Sequence, residues 1–194
     1  DSDDRVLVVS DTPSSASNID FTGNATFTGD NLVITDSAVV DNSTAITVPV
    51  VPASSTNGGG TTNWFPNFTG QVVDSVGGSG INGVTVRLLV NGADTGFTAT
   101  TANNAAGGGQ DGEFSLDDGV VNATDIVTMY IDDATQNGVL VTTWDGTTLN
   151  GFTIVQDALV VRSETGATTN ANLDTANNTD PGSSSDDITL SLIH

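Results

Sequence analysis

Short bursts of alternating apolar and polar positions run through most of the chain, and they predict β-strands rather than helices. Arg5-Val6-Leu7-Val8-Val9-Ser10 is an apolar run between an acidic start (Asp1, Asp3, Asp4) and the turn Asp11-Thr12-Pro13, and reads as a first strand. Alternating pieces follow at Ile19/Phe21, Ala25/Phe27, Leu32/Ile34, Val39/Val40 and Ile46/Val48/Val50, broken by Gly23-Asn24, Gly29-Asp30-Asn31, Asp36-Ser37 and Asp41-Asn42. Their spacing of roughly five to seven residues hints at a solenoid, but no period is sustained past Pro52. The expectation is therefore an N-terminal hairpin meander over residues 1–52. Residues 53–63 carry no apolar side chain larger than Ala and predict a linker or long loop.

Trp64-Phe65-Pro66-Asn67-Phe68 concentrates aromatics where a second unit, 64–194, is expected to begin. Two uses are open for it, a plug at one end of a core or a sugar-stacking platform. The stretch beyond holds the most specific pattern in the chain: Gly70-Gln71-Val72-Val73-Asp74, then Gly80-Ile81-Asn82-Gly83-Val84-Thr85-Val86-Arg87-Leu88, a Thr-rich piece at 98–101, Gly112-Glu113-Phe114-Ser115-Leu116, and Asp125 to Ile131. Val84, Val86 and Leu88 alternate on one face, with glycines at turn positions. On these motifs, residues 70–131 resemble the transthyretin-like β-sandwich modules of secreted surface proteins, the carboxypeptidase regulatory-like and collagen-adhesin B-type repeats. The resemblance implies a stalk or spacer. Unlike the cross-linked members of that family, this chain has no Lys for an isopeptide bond.

Strand patterns continue at Val139 to Trp144, Phe152 to Val155 and Ala158 to Arg162, with Asx-Gly pairs at 57, 82, 91, 111, 118, 137, 145 and 150 as hairpin signals. Residues 163–187 are almost wholly polar and predict a long loop. Ile188-Thr189-Leu190-Ser191-Leu192-Ile193 then alternates cleanly as a closing strand. The fold expected is all-β, an antiparallel β-sandwich of transthyretin/immunoglobulin type preceded by the strand meander.

Charge narrows the function. Among 194 residues, 24 Asp+Glu face 3 Lys+Arg, a formal net charge of −21, and every cation is an Arg. A basic patch for nucleic acid or anionic lipid is excluded, as are Schiff-base lysines. Cys is absent and the one His is His194, which removes thiol nucleophiles and a buried His-based triad. No apolar run approaches the roughly 18–20 residues of a membrane span. With an Asp at position 1, the expectation is a secreted chain whose leader has been removed, located outside the cell.

Carboxylates are the remaining chemistry. For a two-carboxylate glycosidase the most obvious candidates are Glu113 and Glu164, the only glutamates, but almost all the aspartates sit in turns and no catalytic residue is assigned. Calcium, which takes several hard oxygens, is the candidate cofactor, with Asp117, Asp118, Asp132 and Asp133 as candidate ligands. Trp64, Trp144 and Tyr130 are candidate glycan-stacking surfaces.

A sharper feature is the strand formed by Arg5, Val6, Leu7, Val8 and Val9. Apolar edge strands are ordinarily guarded by Lys, Pro or a bulge, and a chain without Lys lacks one main guard. The strand could close its own sheet or complete that of a neighbouring copy. The function expected is a structural subunit of an extracellular filament, pilus or surface layer, assembling by donor-strand-type β-strand addition between copies of itself. The alternative is a cell-surface adhesin or carbohydrate-binding module, assisted by calcium, that binds glycans or other surface proteins.

Overall fold

A computed structural model describes residues 6–44, 50, 52, 55–57, 61, 64–65, 67–117, 121–132, 135–146 and 149–176. The chain divides into two compact units, Asp1–Pro66 with Asp117–Val120, and Asn67–Leu116 with Val121–His194.

The first unit contains β1 (Val6–Val9), β2 (Ser17–Gly23), β3 (Leu32–Thr35), β4 (Ser37–Ser43) and β5 (Thr56–Asn57). Every pairing among them is parallel: β1 on β3, β3 on β5, and β2 on β4. Val6 stands opposite Leu32, Ser17 opposite Ser37 and Val33 opposite Thr56, so the chain climbs in coils of about two dozen residues, within the usual range of solenoid periods. The expected hairpin meander is thus replaced by a short parallel coil.

The reason lies at the corners. Asp36, with φ of 47°, joins β3 to β4, which belong to different sheets, so a residue that looked like a hairpin breaker turns the chain round a coil. Its carbonyl accepts from the Ser17 N–H (2.9 Å) and its Oδ2 from the Ser14 N–H (3.0 Å), fastening one coil to the one before. Leu32, Ile34, Val39, Trp64 and Phe65 form the buried interior, with Val8, Ile19, Phe21, Phe27 and Val50 packed against them. Trp64 and Phe65 therefore fill the first unit and not the unit expected to begin at residue 64. The expected linker also contributes structure. Within it β5 joins the sheet, and the buried Ser55 hydroxyl accepts from the Leu32 N–H at 2.9 Å.

The second unit contains β6 (Asn67–Val73), β7 (Thr85–Val90), β8 (Ala93–Thr100), β9 (Glu113–Asp117), β10 (Ile126–Asp132), β11 (Val139–Thr143), β12 (Leu149–Val155), β13 (Leu159–Val161) and α1 (Asn170–Ala176). A five-stranded sheet runs β13-β11-β10-β7-β8 and a three-stranded sheet β12-β6-β9. The all-β expectation holds. The antiparallel one holds in part, because β12 lies parallel to β6 and β13 parallel to β11. Asn91-Gly92 makes the β7–β8 hairpin with both residues at positive φ (51° and 74°), as a two-residue primed turn requires. Asn150-Gly151 lies instead inside β12, at a shift of register between Leu149 and Phe152.

Strands β10 and β11 are buried along their whole lengths. Val127, Met129, Ile131 and Leu140 fill one side of the sheet, while Leu89, Ile126, Tyr130, Val139 and Val141 form a second cluster under Ala176 and Leu173 of α1. That helix occupies part of the loop expected at 163–187. Thr169 and Asn172 cap it reciprocally, the Asn172 side chain accepting from the Thr169 N–H (2.8 Å) and the Thr169 hydroxyl from the Asn172 N–H (3.3 Å). The closing strand expected at 188–193 lies outside the described residues.

Candidate functional site

The carboxylates come first because only they and hydroxyls could do chemistry. Glu113 opens β9 and is buried. Its carboxylate accepts backbone N–H groups from Ala106 (3.0 Å), Gly108 (3.1 Å) and Gln110 (2.9 Å), gathering the 103–112 loop around itself. Burial works against ionisation, but the ring of amide donors, Gly107 included, outweighs it and holds the carboxyl below its ordinary 4.5. A Cβ on Gly108 would collide with Oε1, so the loop can wrap the carboxylate only with glycine there. An open cleft is lined by Gly70, Gln71, Gly108, Phe152 and Thr153 together with Glu113 itself, whose carboxylate is held by the loop's amides. Glu164 pairs with Arg162 at 2.7 Å. The two glutamates are thus both occupied by partners of the chain's own.

Of the calcium candidates, Asp117 ends β9, and Asp118 and Asp133 lie outside the described residues. Asp132 is buried, and its Oδ2 accepts from Arg87 Nε at 2.7 Å, while Arg87 Nη1 reaches Asp94 at 3.1 Å. Hydrogen bonding and attraction to Asp132 raise the guanidinium pKa further against its burial. A carboxylate turned to an arginine beneath the surface is a structural ion pair, and Asp132 makes one with Arg87. Asp111, another acid of this region, accepts from Asn82 (2.8 Å) and Asn103 (3.1 Å), which lower its pKa. No group of three or more acidic or His side chains suited to a metal ion occurs among the described residues.

The aromatic candidates are corrected. Trp64 and Trp144 are each 1% exposed and Tyr130 0%, so none offers a ring face to a sugar. Trp64 donates from Nε1 to the buried Ser37 hydroxyl (3.0 Å) and meets Phe27 edge to face at 5.4 Å. Trp144 packs against Phe68 at 6.2 Å. Their bulk is spent on packing.

What is presented to solvent is strand edge. Among the described residues β1 ends its sheet, and Val6, Leu7 and Val9 are exposed by 59%, 64% and 51%. Val8 alone points into the coil. Arg5 lies outside the described residues. A second such edge was not singled out in the sequence. Among the described residues β13 ends the five-stranded sheet, with Leu159 and Val161 exposed by 42% and 45%. It read as an ordinary strand because a triplet of apolar residues carries no mark of which edge stays open.

No family model, curated protein or solved structure matches the chain. Among the described residues, no helix is long and apolar enough to cross a membrane.

Proposed function

We propose that this chain is a structural, non-catalytic subunit of an extracellular filament, pilus or surface layer, whose copies join by β-strand addition at residues 5–10. The observation that carries the reading is β1. It is an apolar strand at the end of its sheet, with outward side chains in solvent and no lysine or proline within it. Backbone N–H and C=O groups along such an edge supply affinity, and the alternate side chains supply register. Because β1 is already paired with β3, it adds edge to edge while staying in its own sheet, instead of leaving to complete a neighbour's.

In the same reading the second unit is a transthyretin-like sandwich acting as stalk. The sheet orders β12-β6-β9 and β8-β7-β10-β11, with β13 added at one edge, support it. Strong acidity keeps such a surface hydrated outside the cell.

Leu7→Lys is the test, since Leu7 is largely exposed and a charge there blocks pairing without disturbing the interior. Electron microscopy and sedimentation should show polymers of the native chain and folded monomers of the variant. A native chain that stays monomeric in concentrated, high-salt solution, or a variant that assembles equally well, would remove the reading.

A further inference from the structure

The large apolar side chains exposed among the described residues are Val6, Leu7 and Val9 on β1, Leu159 and Val161 on β13, and Val76 in a turn. Apart from Val76, all belong to two strands, and each strand ends its sheet. The two also match in sequence, Leu7-Val8-Val9 against Leu159-Val160-Val161, and in exposure, with the middle valine half-buried and its neighbours out. Each is joined to its own sheet by a parallel pairing.

Charge singles out one way of bringing them together. The chain holds 3 cations against 24 acids, and two of the arginines flank these strands. Arg5 precedes β1 in the sequence and Arg162 follows β13. The third, Arg87, is held by Asp132 and Asp94. Set parallel with Leu7 opposite Leu159, the strands place Asp11 one position past Arg162, opposite charges side by side. Set antiparallel with Val8 opposite Val160, they bring Asp11 towards Asp157, a pair of like charges. The parallel register also puts Leu7 and Val9 on the same side as Leu159 and Val161, merging two small apolar surfaces into one that water leaves. To reach the neighbouring strand Arg162 gives up a 2.7 Å ion pair of small net worth with Glu164, a hydrogen bond to the Gly151 carbonyl (3.3 Å) and its place 4.7 Å over the Phe152 ring.

We infer that β13 of one copy is the acceptor edge for β1 of the next, in parallel register with Leu7 opposite Leu159. The inference rests on the assembly reading above and supplies its missing half. Two different edges make a head-to-tail contact, which propagates into an open polymer, whereas β1 pairing with β1 would close into a dimer.

The absence of Cys makes the test clean. Leu7→Cys, Leu159→Cys and the double variant are oxidised under assembly conditions and followed by non-reducing electrophoresis and microscopy. Facing residues of neighbouring strands fall within the Cα separation a disulfide spans. The double variant should give a ladder of covalent multimers, and an equal mixture of the two single variants mainly 7–159 dimers. Arg162→Asp should lower the cross-linking yield roughly two- to fivefold, as expected for turning an attractive cross-strand pair repulsive. Dimers of Leu7→Cys alone at matching yield, or a double variant that closes within one chain, would overturn the β13 assignment. Filaments without a ladder overturn it while leaving the assembly reading intact, and absence of both filaments and ladder removes the two together.

Discussion

Glu113 shows what one residue contributes here and how its charge can be weighed. The carboxylate organises a glycine-rich loop through backbone N–H donors, and its pKa is depressed in the folded state. A depressed acid adds stability that is present above its ordinary value of 4.5 and is lost as pH falls through the folded value. Glu113→Gln should therefore lower Tm at neutral pH, and the gap from the native chain should close in acid below that window. A gap that persists unchanged at the most acidic pH would mean the amide fails on shape rather than charge. Trp64 makes a second case. It sits in the first unit and Trp144 in the second, and they are the only tryptophans, so their emission can be separated. Trp64→Ala should cost the first unit about 3–5 kcal/mol, as large-to-small core changes do. The urea midpoint reported by Trp144 should stay where it was; a matching fall there would show that the two units unfold as one.

Elements differ in how far they could be read in advance. Asn91-Gly92 was legible because a two-residue primed turn needs positive φ at both positions, and that demand is written in residue type. Asn91 also locks the turn to β10, its Oδ1 accepting from the Ile126 N–H (2.9 Å) while its own N–H donates to the Ile126 carbonyl (2.8 Å). Asn91→Ala should cost about 1–3 kcal/mol, the usual penalty for a buried donor left without a partner, as measured by chemical denaturation. The coil of the first unit was not legible. Asp36 and Asn31 carry the same turn chemistry as a hairpin, with φ of 47° and 53°, and only the pairing of Val6 with Leu32 distinguishes a corner from a reversal. Such pairing is a property of distant residues, which local alternation does not record. Helix α1 escaped for the opposite reason. Its apolar content toward the sheet is Leu173 and Ala176, too little to mark a helical stripe, and its start rests on a Thr-Asn cap. Thr169→Ala should weaken the helix by about 1 kcal/mol.

At the scale of the whole molecule the charge of −21 competes with the two apolar edges. Burial hides no comparable store of positive charge, so neighbouring copies repel over a distance set by salt. The cross-strand attraction proposed at Arg162 involves few charges at contact, while the repulsion sums over every acid within a Debye length. The acidity was visible from composition alone. The second edge became visible only once β13 was placed at the end of its sheet, and that is why half of the proposed assembly contact escaped a reading of the chain. Screening should decide which side wins. Between about 0.01 M and 1 M monovalent salt the Debye length shrinks from about 30 Å to 3 Å, which removes the long-range repulsion and leaves the short-range apolar pairing. Sedimented polymer should therefore rise steeply with salt. Calcium that acts no differently from sodium at equal ionic strength would fit carboxylates committed within the chain, as Asp132 is to Arg87. A sharp calcium requirement at millimolar level would instead direct attention to Asp118 and Asp133, which lie outside the described residues. Polymer that dissolves as salt rises would show that the ion pairs at the edges, and not the apolar strands between them, hold the copies together.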